Sequence, residues 1–118
     1  MVANANLALV EDHEKPPLAE AALAAEVVVM KFGSSILRSP ADAALVASAC
    51  YAHVRQGRKV VAVVSAFAGE TDKLLADARG LGLAHSNDLL PGYVALGEER
   101  AAALVAVACD RVGLDAAA

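Results

Sequence analysis

The sequence predicts an α/β fold built around a mainly parallel sheet, and three of its features support that prediction. Two short runs, at residues 27–32 and 59–65, are continuous and rich in valine, which is typical of strands covered on both faces. Between them lies a stretch with the apolar spacing of a helix. A strand–helix–strand unit of this kind makes the two strands parallel, with a right-handed crossover. A second, longer helical pattern follows near the end of the chain.

The first 25 residues carry little structural information. Residues 12–17 are charged and end in two prolines, which break any helix there. We therefore predict that residues 1–25 form a flexible or loosely docked extension and that one domain begins at residue 26.

The helix between the two strands has a clear start signal. Ser39 is a suitable N-cap, Pro40 suits the first helical position, and Asp42 lies where a carboxylate favours the helix dipole. This helix is predicted to reach about Gln56, and Gly57 then ends it.

Two further helices are predicted after the second strand, at about residues 71–79 and 91–112. The second half of the long helix is apolar nearly all round, so we expect it to be deeply packed. The alternation of strands and helices then calls for a third strand at the end of the chain.

Composition restricts the possible functions. The 118 residues suffice for one domain or a piece of a larger one. A net charge of -4 argues against nucleic acid or an anionic membrane as a main partner, and no apolar run is long enough to span a bilayer. Cys50 and Cys109 lie in alanine-rich helical patterns, so we expect buried free thiols in a reducing cytoplasm.

The loop after the first strand contains the first candidate site residues. Lys31 is followed by Gly33, Ser34 and Ser35. A lysine here can extend along apolar surface to solvent, or its ammonium can lie beside a phosphate. Gly33 and the exposed amides would then form an anion nest to which the serine hydroxyls add donors, although simple turn chemistry also explains these serines.

The second group of candidates follows the second strand. Because the carboxyl ends of parallel strands meet at one edge of the sheet, residues 65–72 should lie beside the first loop. Ser65 and Thr71 are either a strand-end serine and a helix N-cap, or polar contacts for a substrate. Glu98 is either a solvated glutamate, possibly paired with Arg100, or an acid that recognises an ammonium group.

Three stretches together resemble the aspartate kinases of the amino acid kinase family. VVVMKFGSSIL resembles the family's first strand and loop, K-F-G-G-T-S-V. VVAVVSAFAGETDKLL resembles V-V-V-S-A-x-x-G-x-T-[DN]-x-L-L, and LGEERAAALVAVACDRVGLDA resembles S-x-G-E-x-x-S-A-x-L-x-A-x-x-L-x-x-x-G-x-x-A. The resemblance covers about residues 26–118 and implies the N-terminal portion of a three-layer αβα, carbamate kinase-like fold.

The sequence also departs from the family pattern. The family's two glycines plus Thr-Ser are shortened to Gly33-Ser34-Ser35, Leu96 replaces a threonine, and Ala101 replaces a serine. These forms resemble the kinase-like segment that precedes homoserine dehydrogenase in some bacterial fusion proteins.

The resemblance implies a role for each candidate residue. Lys31 would contact the transferred phosphoryl group of ATP as the catalytic residue, and the loop residues Gly33, Ser34 and Ser35 would bind the nucleotide. Mg²⁺ would accompany ATP.

On the acceptor side, Ser65, Thr71 and Glu98 would bind L-aspartate, with Glu98 near its amino group. The implied reaction is phosphorylation of the aspartate β-carboxylate in lysine, threonine and methionine biosynthesis. The parent protein would be a cytoplasmic homo-oligomer.

The chain covers less than half of such a kinase domain and lacks its adenine site, so we expect it to be inactive alone. Two alternatives to an enzyme segment therefore stay open. The first alternative is a non-catalytic regulatory or assembly module fused to homoserine dehydrogenase. The second is a partly unfolded α/β piece whose exposed sheet edge promotes self-association.

Overall fold

The computed structural model describes residues 2–4, 25–83 and 87–118 of the chain. Four strands and three α-helices form within these residues, and a 3-10 turn at Pro40–Asp42 precedes the first helix. The strands are β1 (Val2–Asn4), β2 (Val27–Phe32), β3 (Lys59–Val64) and β4 (Asp115–Ala117). The helices are α1 (Ala43–Val54), α2 (Glu70–Gly80) and α3 (Leu90–Arg111). Each predicted strand and helix forms within about two residues of its predicted bounds, and β4 forms where a third strand was expected.

The four strands form one sheet in the order β2-β3-β1-β4. Strands β2 and β3 are parallel, with Val27 opposite Lys59 and Phe32 opposite Val64. Strand β1 is antiparallel to both β3 and β4, so β4 runs in the same direction as β3. The α/β fold class with a mainly parallel sheet is therefore confirmed.

Strand β1 is the element that the sequence does not predict. Its three residues form a strand between β3 and β4, whereas the first 25 residues were expected to be a flexible or loosely docked extension. Three residues are too few for a periodic pattern, and the strand is defined by its pairing with both neighbours. Residues 5–24, the rest of that predicted extension, lie outside the described residues.

Helix α1 begins and ends with the predicted local interactions. The Asp42 carboxylate accepts hydrogen bonds from the backbone N–H groups of Arg38 and Ser39 at 3.0 and 2.8 Å. At the other end Gly57 adopts a left-handed conformation, with φ of 78°, and its N–H donates to the carbonyl of Val54. These contacts fix where the chain leaves β2 and where it enters β3.

One hydrophobic core joins the sheet to two helices. Helices α1 and α3 pack against each other and over one face of the sheet, with Met30, Phe32 and Val64 turned towards them. The buried residues of this core are Leu37, Ala43, Val46, Ala47, Cys50, Val54, Val60, Ala62, Phe67, Ala101, Val105, Cys109 and Leu114. Helix α3 also packs against the residues that follow β3, through the close contact of Gly97 with Ala66.

The opposite face of the sheet is open, which contradicts the prediction that both strands are covered on both faces. Val27, Val29 and Val63 are 56%, 66% and 47% exposed. Helix α3 is not packed all round either, since Val107 is 57% exposed. A continuous apolar run shows that a strand suits burial on two faces, but whether each face is covered depends on what packs there.

None of the helices in the described ranges is both long enough and apolar enough to cross a membrane.

Candidate functional site

The two loops at the carboxyl ends of β2 and β3 lie side by side, as the topology predicts. The backbone N–H of Ser65 donates to the carbonyl of Phe32 at 3.0 Å, which extends the β2–β3 pairing beyond the strands. The N–H of Ala68 donates to the carbonyl of Leu37 at 2.9 Å. Because these contacts are between backbone groups, the neighbourhood of the loops does not depend on side-chain identity.

The first loop is a tight turn that leaves donors unused. The Gly33 carbonyl accepts hydrogen bonds from the N–H groups of Ile36 and Leu37 at 3.0 and 2.9 Å. The N–H groups of Ser34 and Ser35, both exposed, have no acceptor among the described residues. Adjacent free amides at a turn suit a bound anion.

Gly33 is not required by the backbone conformation of this turn. It does not adopt a positive φ, and a Cβ built on it would meet nothing within 4 Å. What glycine provides here is open space beside the free amides of the next two residues.

Lys31 lies on the open face of the sheet, opposite Val63 in the β2–β3 register. It is exposed and has no ion-pair partner in the part of the chain that the structure describes. Its ammonium is therefore free to reach solvent or an anion at this edge, and both sequence interpretations fit its position.

The second loop leads into α2 without a side-chain cap. Gly69 occupies the N-cap position with φ of 79°, so Thr71 is inside the first turn and its interpretation as an N-cap is wrong. The N–H groups of Thr71 and Asp72 have no acceptor within the described ranges. The Ser65 hydroxyl donates to the carbonyl of Ala66 at 2.9 Å.

The middle of α3 completes the site by close packing. Gly97 is buried, and a Cβ built on it would lie 3.1 Å from the Cβ of Ala66 and 3.7 Å from the Cγ of Glu70. Glu98, the next residue, is exposed and has no hydrogen-bond or ion-pair partner among the described residues. The buried position on this part of α3 is Gly97, so Glu98 lies at the surface, where both interpretations of it from sequence remain open.

Arg100 pairs with a different acid from the one considered in the sequence. Its Nη1 donates to both carboxylate oxygens of Glu70 at 2.9 Å, so the alternative Glu98–Arg100 pair is wrong. Its guanidinium also lies 5.6 Å from the ring centroid of Phe67. Sequence reasoning missed Glu70 and Phe67 because they are about 30 positions from Arg100, and no short-range spacing links them.

The structure therefore brings most of the candidate residues to one region. Residues 31–35 and 65–71 come together through the paired loops, and Glu98 joins them because the adjacent Gly97 contacts the second loop. Within the part of the chain that the structure describes, the arrangement offers an unpaired cation and backbone amides without acceptors on one side, and two hydroxyls with an unpaired carboxylate on the other.

Other features of the described residues lack such groups. A cavity of about 200 Å³ lies at the far end of α2 and is lined mainly by Leu81, Leu83, Leu89, Leu90 and Tyr93, an apolar set that does not suit a phosphate. The described part of the chain contains no cluster of three or more potential metal ligands.

The two cysteines face each other inside the core. Burial raises the pKa of Cys50 from 9.0 to about 12, and the neighbouring Cys109 thiol contributes to the shift. Burial also raises the pKa of Cys109. Both thiols are fully buried, so neither is suited to act as a nucleophile.

Comparison with known proteins identifies the family and agrees with the fold. The sequence model of the amino acid kinase family matches residues 26–118. The crystal structure of aspartate kinase from Synechocystis matches with a TM-score of 0.68 and 26% sequence identity. That match covers 75% of this chain and 15% of the other, so the chain spans only a small part of that protein. No curated protein sequence matches the chain.

Proposed function

Because the chain belongs to the amino acid kinase family, we propose that it is the N-terminal segment of an aspartate kinase. Such an enzyme transfers the γ-phosphoryl group of ATP to the β-carboxylate of L-aspartate. The observation that carries the proposal is the backbone pairing of the two loops, Ser65 with Phe32 and Ala68 with Leu37. This pairing brings groups that suit a phosphate and groups that suit the acceptor substrate together at one edge of the sheet.

On the phosphate side, Lys31 and the first loop act together. The free N–H groups of Ser34 and Ser35 fit phosphate oxygens, and the open space at Gly33 lets a phosphate approach the backbone. Lys31 has no competing ion pair within the described ranges, so its ammonium is available to the transferred phosphoryl group. Phosphoryl transfer depends mainly on positioning and charge stabilisation, which is what these residues offer.

Magnesium would be bound mainly by the nucleotide. The described residues contain no cluster of potential metal ligands, and Mg²⁺ usually keeps several waters and binds through phosphates and one or two carboxylates. When bound, the ion would neutralise charge on the phosphate oxygens.

On the acceptor side, Ser65, Thr71 and Glu98 bind L-aspartate. The Thr71 hydroxyl and the first-turn amides of α2, which have no acceptor among the described residues, suit its carboxylates, and the Glu98 carboxylate, unpaired among these residues, suits its ammonium group. Ser65 would donate to a carboxylate by turning its hydroxyl away from the Ala66 carbonyl. The β-carboxylate is itself the nucleophile: its oxygen forms the new bond to the γ-phosphorus, and ADP leaves. The protein therefore holds the acceptor in line and supplies no nucleophile of its own.

The complete activity belongs to a longer protein. Since the match covers 15% of the aspartate kinase from Synechocystis, we expect the 118-residue chain alone to be inactive. The same proposal includes three properties of the parent protein. It is a homo-oligomer, it acts in lysine, threonine and methionine biosynthesis, and it is fused to homoserine dehydrogenase.

The proposal is tested in the full-length parent protein by following ADP release with L-aspartate as acceptor and L-glutamate as a control acceptor. Lys31→Met should lower kcat by about 100-fold or more, because charge stabilisation of the transition state is lost. The matched control is Lys59→Met, because Lys59 lies in β3, which pairs with β2, but at the opposite end of that pairing from Lys31. No aspartate-dependent ADP release by the parent, or equal losses in both variants, would contradict the proposal.

The acceptor side is tested by Glu98→Gln against Glu99→Gln in the same protein. Removing the charge that pairs with the aspartate ammonium should raise KM for L-aspartate by about 10- to 100-fold. The adjacent exposed Glu99 should be neutral. A KM for L-aspartate that is unchanged in Glu98→Gln would remove this residue from the site.

A further inference from the structure

We propose that Arg100 is a positioning residue that holds the second loop against α3 and thereby sets the geometry of the acceptor site. This inference rests on the proposed function, and it adds a group that binds neither substrate. Arg100 reaches from α3 to two residues of the loop, the Glu70 carboxylate and the Phe67 ring.

The two contacts of Arg100 are anchored at their loop ends. The Glu70 side chain is only 16% exposed, compared with 54% for Arg100, and Phe67 is 4% exposed. The guanidinium therefore lies over two loop side chains that are themselves largely buried, so its contacts reach the packed side of the loop. The distance of 5.6 Å to the ring centroid is within the range of a cation–π contact.

Along the chain, the two residues that Arg100 contacts lie between the proposed acceptor-binding residues Ser65 and Thr71. Phe67 and Glu70 flank the turn at Ala68 and Gly69, so Arg100 holds both sides of the turn that connects Ser65 to Thr71. Glu98 is two positions before Arg100 on the same helix.

Arg100 is not the only contact between these elements, because Gly97 packs closely against Ala66. That contact fixes how near α3 comes to the start of the loop. The Arg100 contacts fix the loop farther along, at the first turn of α2, where the free amides of Thr71 and Asp72 lie.

The arrangement predicts an effect on one substrate only. No hydrogen bond, ion pair or ring contact joins Arg100 to the described residues of the first loop, where ATP phosphates are proposed to bind. Loss of Arg100 should therefore raise KM for L-aspartate and leave KM for ATP unchanged.

The test uses the full-length parent with Arg100→Met, Arg100→Lys, Glu70→Gln and the double variant Arg100→Met/Glu70→Gln. Arg79→Met is the matched control, because Arg79 is in the last turn of α2 and has no ion pair among the described residues. Two readouts are followed: the KM values for L-aspartate and ATP, and hydrogen exchange without substrate of the hydrogen-bonded amides of Ala68, Glu70 and Lys73.

We expect Arg100→Met to raise KM for L-aspartate about 5- to 20-fold, with KM for ATP within about twofold of wild type. Exchange of the hydrogen-bonded amides of Ala68, Glu70 and Lys73 should become about tenfold faster. The double variant should be no worse than the worse single variant, because one removed contact cannot be lost twice. Arg100→Lys, which keeps the charge but loses the planar contact, should be intermediate.

The outcomes distinguish a failure of the Arg100 inference from a failure of the proposed function on which it rests. If the wild-type parent does not phosphorylate L-aspartate, the proposed function fails, while hydrogen exchange still decides whether Arg100 holds the loop. If the wild type is active but Arg100→Met leaves KM for L-aspartate or the exchange unchanged, the positioning inference is overturned. Additive losses in the double variant would also overturn it.

Discussion

Substituting Gly97 tests the close contact that brings α3 to the second loop. Gly97 is buried in the middle of α3. A Cβ added there would lie 3.1 Å from the Cβ of Ala66, 3.4 Å from Leu74 Cδ1 and 3.7 Å from Glu70 Cγ. The first distance is the critical one. Leu74 can change rotamer, but the Cβ of Ala66 is fixed to the backbone just after β3.

Two effects of Gly97→Ala oppose each other. Replacing glycine by alanine inside a helix stabilises it by about 1 kcal/mol. Forcing a methyl group into a closely packed contact costs about 1–3 kcal/mol. The net change in the free energy of unfolding should therefore be a loss of about 0–2 kcal/mol.

The same helix contains a matched control. Gly92 is also in α3, is exposed, and a Cβ built on it meets nothing within 4 Å. Gly92→Ala should stabilise the chain by about 0.5–1 kcal/mol, because only helix propensity changes. The two variants should thus differ by about 1–3 kcal/mol, and this difference isolates the packing cost.

The assay is urea unfolding of the 118-residue chain, followed by circular dichroism at 222 nm. The midpoint should fall for Gly97→Ala and rise for Gly92→Ala, with similar slopes. Adding Ala66→Gly to Gly97→Ala should recover part of the loss, because it removes the opposing methyl group. Equal stabilisation by both substitutions would refute the reasoning, since it would mean that α3 does not pack on the second loop as closely as the structure has it.

Three further predictions concern the core, a helix start and the surface. Because burial raises the pKa of Cys50 to about 12 and also raises that of Cys109, the folded chain holds both thiols neutral, and at pH 8 neither thiol should react quickly with a disulfide reagent. Above about pH 9 the free energy of unfolding should fall by up to about 1.4 kcal/mol per pH unit for each thiol, because the unfolded chain releases its thiol protons first. Replacing Asp42 by alanine removes the acceptor of two backbone N–H groups and should cost about 1 kcal/mol in thermal unfolding, and an unchanged Tm would contradict the capping assignment. Replacing Glu26 by glutamine breaks its 3.1 Å ion pair with Arg58, but the Glu26 side chain is 69% exposed and that of Arg58 is 35% exposed, so Tm should stay within about 2 °C; a larger shift would contradict this surface assignment.

Much of the fold follows from sequence because its signals are local. The valine-rich runs and the Ser-Pro-x-Asp helix start need only neighbouring residues, and β2 has the predicted bounds, residues 27–32. Strand β1 has no such signal: it depends on two partners far along the chain, at residues 60–61 and 115–117. The open face of the sheet could not be predicted for a similar reason, since hydrophobicity shows that a surface suits burial and not that another element covers it.

The candidate site also has one part that could be predicted from sequence and one part that depends on contacts between distant residues. The two loops could be predicted to be neighbours from topology alone, because the ends of adjacent parallel strands must meet, and backbone hydrogen bonds then hold them together. The position of α3 depends instead on side chains, through the close contact of Gly97 with Ala66 and the pairing of Arg100 with Glu70. Substitutions in α3 should therefore alter the acceptor side while leaving the phosphate side intact. If acceptor preference varies among proteins built on this arrangement, the contacts between α3 and the second loop are where that variation should be sought.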